Sequence, residues 1–263
     1  MQSVLDFARA HRERRLITIV TAYDVLQARA VAESRVDAIL VGDSVAMVVH
    51  GHPSTIHATL EMMCLHTAAV RRGAPATVIV ADMPFMSFRM GQEAAVRAAG
   101  ALLQAGATAV KIEGVRGHED VVSHLVESGV PVMGHLGLTP QSINQLGGYH
   151  VQGRTREDAD GLLRDARTLQ DLGAFACVLE CVPKSVAAEI TQALGIPTIG
   201  IGAGASTLGQ VLVFTDLMGL DAQFRPRFAR RYLDGHGAAV NALNEFAEDV
   251  RAGRFPAPEE IPA

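Results

Sequence analysis

The residues best suited to chemistry in this chain follow short apolar runs. Asp43 and Ser44 come directly after AILVG, Asp82 follows TVIVA, and Glu113 follows AVKI. An acidic side chain at the end of a buried strand lies at the edge of a sheet, where it can bind a cation, hold a substrate or move a proton. We therefore expect a functional site at the ends of these strands.

Three of these acids point to a metal. Asp43, Asp82 and Glu113 end consecutive apolar runs, so a parallel sheet would make them neighbours. Close carboxylates repel one another unless protons or a cation lie between them. Because oxygen ligands suit Mg²⁺, the pattern favours a magnesium site over its alternative, a hydrogen-bonded structural cluster.

Lys111 precedes Glu113 by two residues, so strand alternation directs both side chains to the same face. A lysine in a buried strand could form a Schiff base, fix a substrate carboxylate or pair with the acids. Beside a metal and carboxylate cluster, anion binding or ion pairing is favoured over imine formation.

Two further ionisable residues follow later strands. Glu180 follows CVL and precedes Cys181, Val182 and Pro183, so it lies in apolar company and is a candidate general base. Its alternative is a structural role, as an arginine partner or a helix cap. His135 in GHLG could equally contact a substrate oxygen or hold its loop.

The elements that position these residues are short apolar runs rich in Val and Ile, separated by stretches with helical spacing. Continuous apolar runs indicate strands buried on both faces, which is typical of a parallel sheet covered by helices. The eight runs predict an α/β fold, a (β/α)8 TIM barrel. The predicted strands are residues 17–23, 38–42, 77–81, 109–112, 130–134, 177–179, 196–201 and 210–214, and the clearest helices are 93–104, 119–127, 159–172 and 186–194.

The active site of such a barrel lies at the carboxyl ends of the strands. Ionisable side chains fall at that position after most of the predicted strands: Asp24, Asp43, Asp82, Glu113, His135, Glu180 and Asp216. For Asp24 and Asp216, a role as cap of the following helix weighs equally. Residues 45–60 carry no Asp, Glu, Lys or Arg, and we predict a loop that covers the site, with His50, His52 and His57 as hydrogen-bonding residues.

The bulk composition narrows the class of protein. No linker divides the chain, so we expect a single domain over residues 1–263, with a short N-terminal helix and a closing C-terminal helix and tail. A net charge of −5 without basic clusters argues against nucleic acid or an anionic membrane as partner and for small-molecule substrates.

The longest uncharged stretch, 190–215, contains five glycines and a proline, which is unsuited to a membrane helix. The N-terminus lacks the apolar core of a secretory signal, which predicts a cytoplasmic protein. The three cysteines, Cys64, Cys177 and Cys181, are expected to be buried, reduced thiols.

Several segments together resemble one known family. The segments VGDSVAMVVHGH, ADMPFMSF, VKIEG, GHLGLTPQSIN, GGYHVQGR and LECVP occur in the order of the motifs of the ketopantoate hydroxymethyltransferase (3-methyl-2-oxobutanoate hydroxymethyltransferase) family. The resemblance extends over residues 18–228. It implies a (β/α)8 barrel that assembles as a homo-oligomer, specifically a decamer.

The resemblance also implies an activity. It is the Mg²⁺-dependent transfer of a one-carbon unit from 5,10-methylenetetrahydrofolate to 3-methyl-2-oxobutanoate, which gives 2-dehydropantoate for pantothenate biosynthesis. Asp43 and Asp82 would bind the metal, with Glu113 in the same shell directly or through water. Ser44 and Lys111 would hold the keto acid beside Asp43 and Asp82, and Glu180 would accept the proton. No aromatic platform for the folate stands out in the sequence.

Two alternatives remain open at the level of sequence. The first is another Mg²⁺-dependent 2-oxo-acid enzyme, of the phosphoenolpyruvate mutase and isocitrate lyase type, although GHLGLTPQ and LECVP favour the transferase. The second is a catalytically silent barrel that only binds a metal and a 2-oxo acid. The presence of Glu180 argues against it, because binding alone requires no base.

Overall fold

The strands pair in parallel, in the order of the chain, and close into a barrel in which the first strand pairs with both the second and the last. The structure is a computed structural model that describes residues 1–261. The predicted (β/α)8 TIM barrel is confirmed, and every predicted strand overlaps an observed one. The strands are β1 (Ile17–Thr21), β2 (Ala38–Val41), β3 (Val78–Asp82), β4 (Ala109–Glu113), β5 (Val132–Gly137), β6 (Ala176–Glu180), β7 (Thr198–Ile201) and β8 (Gly209–Leu212).

Helices connect the strands. Thr59 and Thr155 cap two of them, each with a side chain that accepts a hydrogen bond from the backbone N–H three residues on. The four clearest predicted helices overlap the observed helices Gln92–Gln104, Glu119–Glu127, Arg156–Asp171 and Lys184–Ala193. The α-helices within residues 1–213 are α1 (Leu5–Arg12), α2 (Val25–Glu33), α3 (Val45–Val48), α4 (Leu60–Gly73), α5 (Gln92–Gln104), α6 (Glu119–Glu127), α7 (Ile143–Leu146), α8 (Arg156–Asp171) and α9 (Lys184–Ala193).

The interior of the barrel changes from apolar to polar along the strands. Alternation directs every second side chain inward, and the first inward positions are filled by a buried cluster that includes Val80, Met133 and Val178, against which Phe7 of α1 packs. The same inward series ends in polar residues. These terminal residues are Asp82 on β3, Lys111 and Glu113 on β4, His135 on β5 and Glu180 on β6.

The uncharged stretch 190–215 begins at the end of α9, supplies β7 and β8, and crosses the intervening loop. Gly200 permits close packing there, since a Cβ at this position would lie 2.6 Å from Thr207 Oγ1. No helix among residues 1–261 is long and apolar enough to cross a membrane.

The chain divides into two compact units, Met1–Val213 and a second that begins at Phe214. The second unit contains α10 (Phe214–Met218) and α11 (Gly235–Arg251), and α11 corresponds to the closing helix expected from the sequence. Within this unit Tyr232 N donates to Leu217 O over 2.8 Å. The single domain over residues 1–263 stays a prediction.

Candidate active site

The carboxyl ends of β2 to β6 bring the predicted site residues together at the mouth of the barrel. Asp82 lies opposite Lys111 on the neighbouring strand, and Glu113 lies opposite His135. We call Asp43, Asp82, Lys111, Glu113 and Gln141 the acidic side of the mouth, and Glu180 with His135 the base side.

Lys111 is an ion-pair partner on the acidic side. Its Nζ lies 3.0 Å from Asp82 Oδ1 and 3.1 Å from His135 Nδ1. Burial acts to lower the pKa of Lys111, but the carboxylates of Asp82, Glu113 and Asp43 outweigh it and raise the pKa above its ordinary value. The ammonium therefore stays charged, which disfavours a Schiff base, as the sequence indicated.

Gln141 joins the acidic side from the loop after β5, and the sequence analysis missed it. Its backbone N–H donates to Glu113 Oε2 over 2.9 Å, and its Nε2 donates to Asp43 Oδ2 over 2.8 Å and to the carbonyl of Met83. The side chain is buried. Nothing in the local sequence marks this glutamine except that it follows Pro140, which begins a turn, so the signal lies in the fold.

The acidic side contains three carboxyl groups but only one ammonium group, that of Lys111. Asp43 N donates to Asp82 Oδ2 over 3.0 Å, so the Asp82 carboxylate lies against the backbone of Asp43. Burial, and then the charges of Asp82 and Glu113, raise the pKa of Asp43 well above its ordinary value. Glu113 differs because contacts with His135 and Lys111 outweigh burial and lower its pKa overall.

A divalent cation fits this donor set. The buried carboxylate oxygens are hard ligands, and a cation would relieve the repulsion that raises the pKa of Asp43. No three His, Cys, Asp or Glu side chains among residues 1–261 form a ready-made metal cage. Mg²⁺ is compatible with this arrangement because it usually keeps several waters and takes only one or two protein carboxylates.

Ser44 borders the acidic side and is held by Tyr23. The Tyr23 hydroxyl lies 2.8 Å from Ser44 Oγ, and its buried ring follows β1. Burial raises the pKa of Tyr23, so its hydroxyl stays neutral. His66 on α4 contacts the backbone carbonyl of Tyr23. Tyr23 thus fixes the orientation of Ser44, a role that the sequence did not indicate.

The base side pairs Glu180 with His135. His135 Nε2 lies 3.2 Å from Glu180 Oε2, and Nδ1 lies 3.4 Å from Glu113 Oε1. Burial and Lys111 act to lower the pKa of His135, but Glu113 and Glu180 raise it to about 9. Nε2 of the imidazole thus faces Glu180, while Nδ1 faces Lys111 Nζ and Glu113 Oε1.

The backbone after Glu180 is turned sharply. Cys181 has φ 46°, in the left-handed region that side chains other than glycine seldom adopt. Such strain is found where surrounding structure enforces it, often at functional sites. Here Cys181 N donates to Ile201 O and Gln152 N donates to Cys181 O, each over 2.9 Å. The three cysteines are free, as predicted, but the prediction that all three are buried is wrong for Cys64 and Cys181, which are half-buried.

Relatives of known name identify the family. The protein-family model described as Ketopantoate hydroxymethyltransferase matches residues 2–258. The 3-methyl-2-oxobutanoate hydroxymethyltransferase of Bdellovibrio bacteriovorus is 51% identical over 260 residues, which cover 99% of each chain. Proteins of the same name from Legionella pneumophila strain Paris and Francisella tularensis subsp. novicida are 51% and 47% identical, over 97% and 98% of each chain. The chain belongs to the ketopantoate hydroxymethyltransferase family.

Solved structures confirm the architecture. A 2,3-dimethylmalate lyase of the PEP mutase/isocitrate lyase superfamily aligns with a TM-score of 0.63 at 18% identity, over 100% of this chain and 89% of that chain. A phosphonopyruvate hydrolase complex with oxalate and Mg²⁺ aligns with a TM-score of 0.63 at 14% identity, over 99% and 92%. At these identities the similarity shows the fold alone, so it does not favour the chemistry of those enzymes for this family member.

Two acids predicted to line the mouth, Asp24 and Asp216, lie in helices or at a helix start instead. Asp24 caps α2, since its Oδ1 accepts from the backbone N–H groups of Leu26 and Gln27, each over 2.8 Å. Asp216 lies within α10 of the second unit. For Asp24 the capping alternative is correct, because a carboxylate at a helix start accepts the unpaired N–H groups there.

The predicted covering loop is partly helical. Residues 45–60 contain α3 and a short 3₁₀ turn, Thr55–His57, so the prediction of a loop was wrong for these parts. His50 Nε2 lies 2.9 Å from His66 Nε2, and His57 Nδ1 lies 3.3 Å from Ser54 Oγ. The prediction that His50 and His57 form hydrogen bonds is confirmed, while His52 stacks on the His57 ring.

Proposed function

We propose that this enzyme transfers a one-carbon unit from 5,10-methylenetetrahydrofolate to 3-methyl-2-oxobutanoate and so forms 2-dehydropantoate for pantothenate biosynthesis. The observation that carries the proposal is the placement of Glu180 beside His135, which also contacts Lys111 and Glu113 of the acidic side, in a chain 47–51% identical to enzymes named for this transfer. A carboxylate that can accept a proton and a buried set that can fix a 2-oxo acid are the two parts the reaction needs.

We propose Mg²⁺ as the cofactor. Asp43 and Asp82 would hold it directly, and Glu113 would stay in the same shell, directly or through water. When bound, the cation supplies charge stabilisation to the oxygens of the 2-oxo acid. The phosphonopyruvate hydrolase of the same fold was crystallised with oxalate, a small dicarboxylate, and Mg²⁺, which is compatible with this assignment.

The keto acid would bind between the two sides. Lys111 would provide the fixed positive charge for its carboxylate, and Ser44, oriented by Tyr23, would donate a hydrogen bond. Asp43 and Asp82 would line the same space. With the carboxylate end fixed on the acidic side, the C3 hydrogen of the keto acid would face Glu180.

Glu180 would remove the C3 proton. Its side chain is 16% exposed, so a substrate can reach it, and His135 Nε2 lies 3.2 Å from Glu180 Oε2. The prediction that Glu180 lies in apolar company is met only in part, since its nearest polar partner is an imidazole. His135 is thus proposed as the group that orients the base.

The bonds balance with one water molecule. C3 of the keto acid loses its proton and forms a C–C bond to the methylene carbon, while both C–N bonds of the donor break. Water supplies the hydroxyl of the new hydroxymethyl group. The C3 proton and the remaining proton of water end on the two nitrogens of tetrahydrofolate.

The decisive experiment measures 2-dehydropantoate formed by the purified protein from both substrates, with Mg²⁺ and with EDTA. We expect product only when folate donor and Mg²⁺ are both present. Exchange of the C3 hydrogen for deuterium, without folate, should occur with Mg²⁺ alone. A protein that binds the keto acid but neither exchanges C3 nor forms product would be the catalytically silent barrel instead.

We also propose a cytoplasmic homodecamer built from single-domain chains. Light scattering of the purified protein should then give about ten times the chain mass of 27.9 kDa. A monomer or dimer at micromolar concentration would contradict the proposed assembly while leaving the proposed reaction intact.

A further inference from the structure

Tyr149 is an exposed aromatic residue at the mouth of the barrel. It lies in the connection between β5 and α8, in the segment GGYHVQGR, and its side chain is 53% exposed. Its hydroxyl lies 3.6 Å from Met47 Sδ on α3, three residues beyond Ser44. Tyr149 therefore contacts the connection that begins at Asp43 and Ser44.

The backbone around Tyr149 is tied to the base side. Leu138 N donates to Glu180 O over 2.8 Å, and Gln152 N donates to Cys181 O over 2.9 Å. Gly147 and Gly148, with φ of 69° and 134°, turn the chain between these two anchors. The segment that carries Tyr149 is thus anchored to the backbone of Glu180 and Cys181, and the Tyr149 side chain contacts Met47.

The charges around the hydroxyl agree with this position. Burial raises the pKa of Tyr149, and the carboxylates of Glu180, Asp43 and Glu113 raise it further. Its phenol is neutral and interacts electrostatically with carboxylates of both the acidic side and the base side. About half of the side chain remains open to solvent, so the ring offers an exposed apolar surface.

The direction from which a second substrate can approach is restricted. Below the carboxylates the barrel interior is filled by the apolar cluster around Val80, Met133 and Val178. A one-carbon donor must therefore reach C3 of the keto acid from the solvent side, where Tyr149 lies. Flat heterocycles bind well against an exposed aromatic ring, because stacking tolerates many ring types.

We propose that the ring of Tyr149 is the surface on which the pterin ring of the one-carbon donor stacks, an assignment that rests on the proposed function. The contact positions the donor and takes no part in proton transfer. The ring, rather than the hydroxyl, carries this role.

The test compares Tyr149→Ala, Tyr149→Phe and the parent in the complete reaction. Tyr149→Ala should raise the KM for methylenetetrahydrofolate by at least about 5-fold, the lower end of what one stacking contact contributes. Its KM for 3-methyl-2-oxobutanoate and its folate-independent C3 exchange should equal those of the parent. Tyr149→Phe, which keeps the ring, should behave like the parent. Tyr232→Ala, at an exposed tyrosine of the second unit, is the matched control.

An unchanged KM for the donor in Tyr149→Ala would overturn the proposal, and so would a parallel loss of C3 exchange, which would indicate a structural role. A larger effect from Phe85→Ala would also overturn it, because Phe85 lines a separate surface cavity of about 600 Å³. Calorimetric binding of tetrahydrofolate to the same variants, with keto acid and Mg²⁺ present, tests Tyr149 independently of turnover. If the parent binds tetrahydrofolate but transfers nothing, the proposed function fails and the Tyr149 contact is still decided by binding.

Discussion

The two sides of the barrel mouth are built differently. The residues of the acidic side are 2–5% exposed and are joined by an ion pair and several hydrogen bonds. On the base side, the Glu180 side chain is 16% exposed and contacts His135 Nε2. A buried set joined by these contacts holds charge in a fixed geometry, whereas an accessible carboxylate can exchange protons with a substrate. The difference supports the proposed division, in which the acidic side binds metal and keto acid and the base side accepts the proton.

The largest expected effect comes from removing the base. Glu180→Gln keeps the shape and the contact with His135 but cannot accept a proton. We expect kcat to fall about 10³-fold, the middle of the range for general base catalysis, with Mg²⁺ affinity unchanged. Steady-state kinetics and metal titration of the same preparation measure both quantities. Turnover near the parent rate would remove Glu180 from its proposed role.

The second prediction concerns the acidic side. Asp43→Asn should weaken Mg²⁺ binding by about 100-fold, because asparagine keeps the shape of the side chain but loses the negative charge that attracts the cation. Metal titration by calorimetry measures this, with Glu180→Gln as the control that should bind Mg²⁺ like the parent. Equal weakening in both variants would abolish the distinction between the two sides.

The same substitution has a second readout in the metal-free protein. Because the pKa of Asp43 is raised above 3.8 on folding, the folded protein binds more protons than the unfolded chain. Its stability therefore falls as the pH rises above 3.8 toward the raised pKa. In EDTA at pH 7, Asp43→Asn should melt about 2–4 °C above the parent, whereas added Mg²⁺ should stabilise only the parent. A lower melting temperature for the variant in EDTA would contradict the repulsion inferred at this site.

The third variant, Gln141→Ala, also tests the acidic side, and we expect a smaller effect than that of Asp43→Asn. Gln141→Ala removes the Nε2 donor to Asp43 and Met83 while the backbone donor to Glu113 remains. We expect Mg²⁺ affinity to fall about 10-fold, with kcat at saturating Mg²⁺ near that of the parent. Gln145→Ala, at an exposed glutamine of the same connection, should change neither quantity. A fall in kcat at saturating Mg²⁺ would place Gln141 in the chemistry instead.

Most of the fold was predictable because it rests on local patterns. Continuous Val- and Ile-rich runs mark buried parallel strands, and the acids at their ends mark the mouth. Position along the chain also predicted that Lys111 and Glu113 share a face, and the ion pair of Lys111 with Asp82 agrees with that prediction.

The rest of the site depends on contacts between distant segments. Gln141 reaches Asp43 across 98 positions of sequence, and Tyr149 reaches Met47 across 102. Neither residue type carries a motif of its own. Asp24 shows the converse limit, because an acid after a strand has the same local pattern whether it caps a helix or lines a site.

The smallest effect is expected from Tyr23. Tyr23→Phe keeps the buried ring but removes the 2.8 Å contact with Ser44. The KM for 3-methyl-2-oxobutanoate should rise about 5-fold, the worth of one ordinary hydrogen bond, with kcat little changed. In the Ser44→Ala background the same substitution should add nothing, since its partner is gone. Additive effects in the double variant would show that Tyr23 acts elsewhere.

One measurement tests the division between the two sides most directly: calorimetric binding of 3-methyl-2-oxobutanoate, at one Mg²⁺ concentration that saturates the parent, to Glu180→Gln and Asp43→Asn. Glu180→Gln should bind the keto acid with the affinity of the parent, and Asp43→Asn should show no binding at that concentration. Loss of binding in Glu180→Gln, or parent-like binding in Asp43→Asn, would contradict the account.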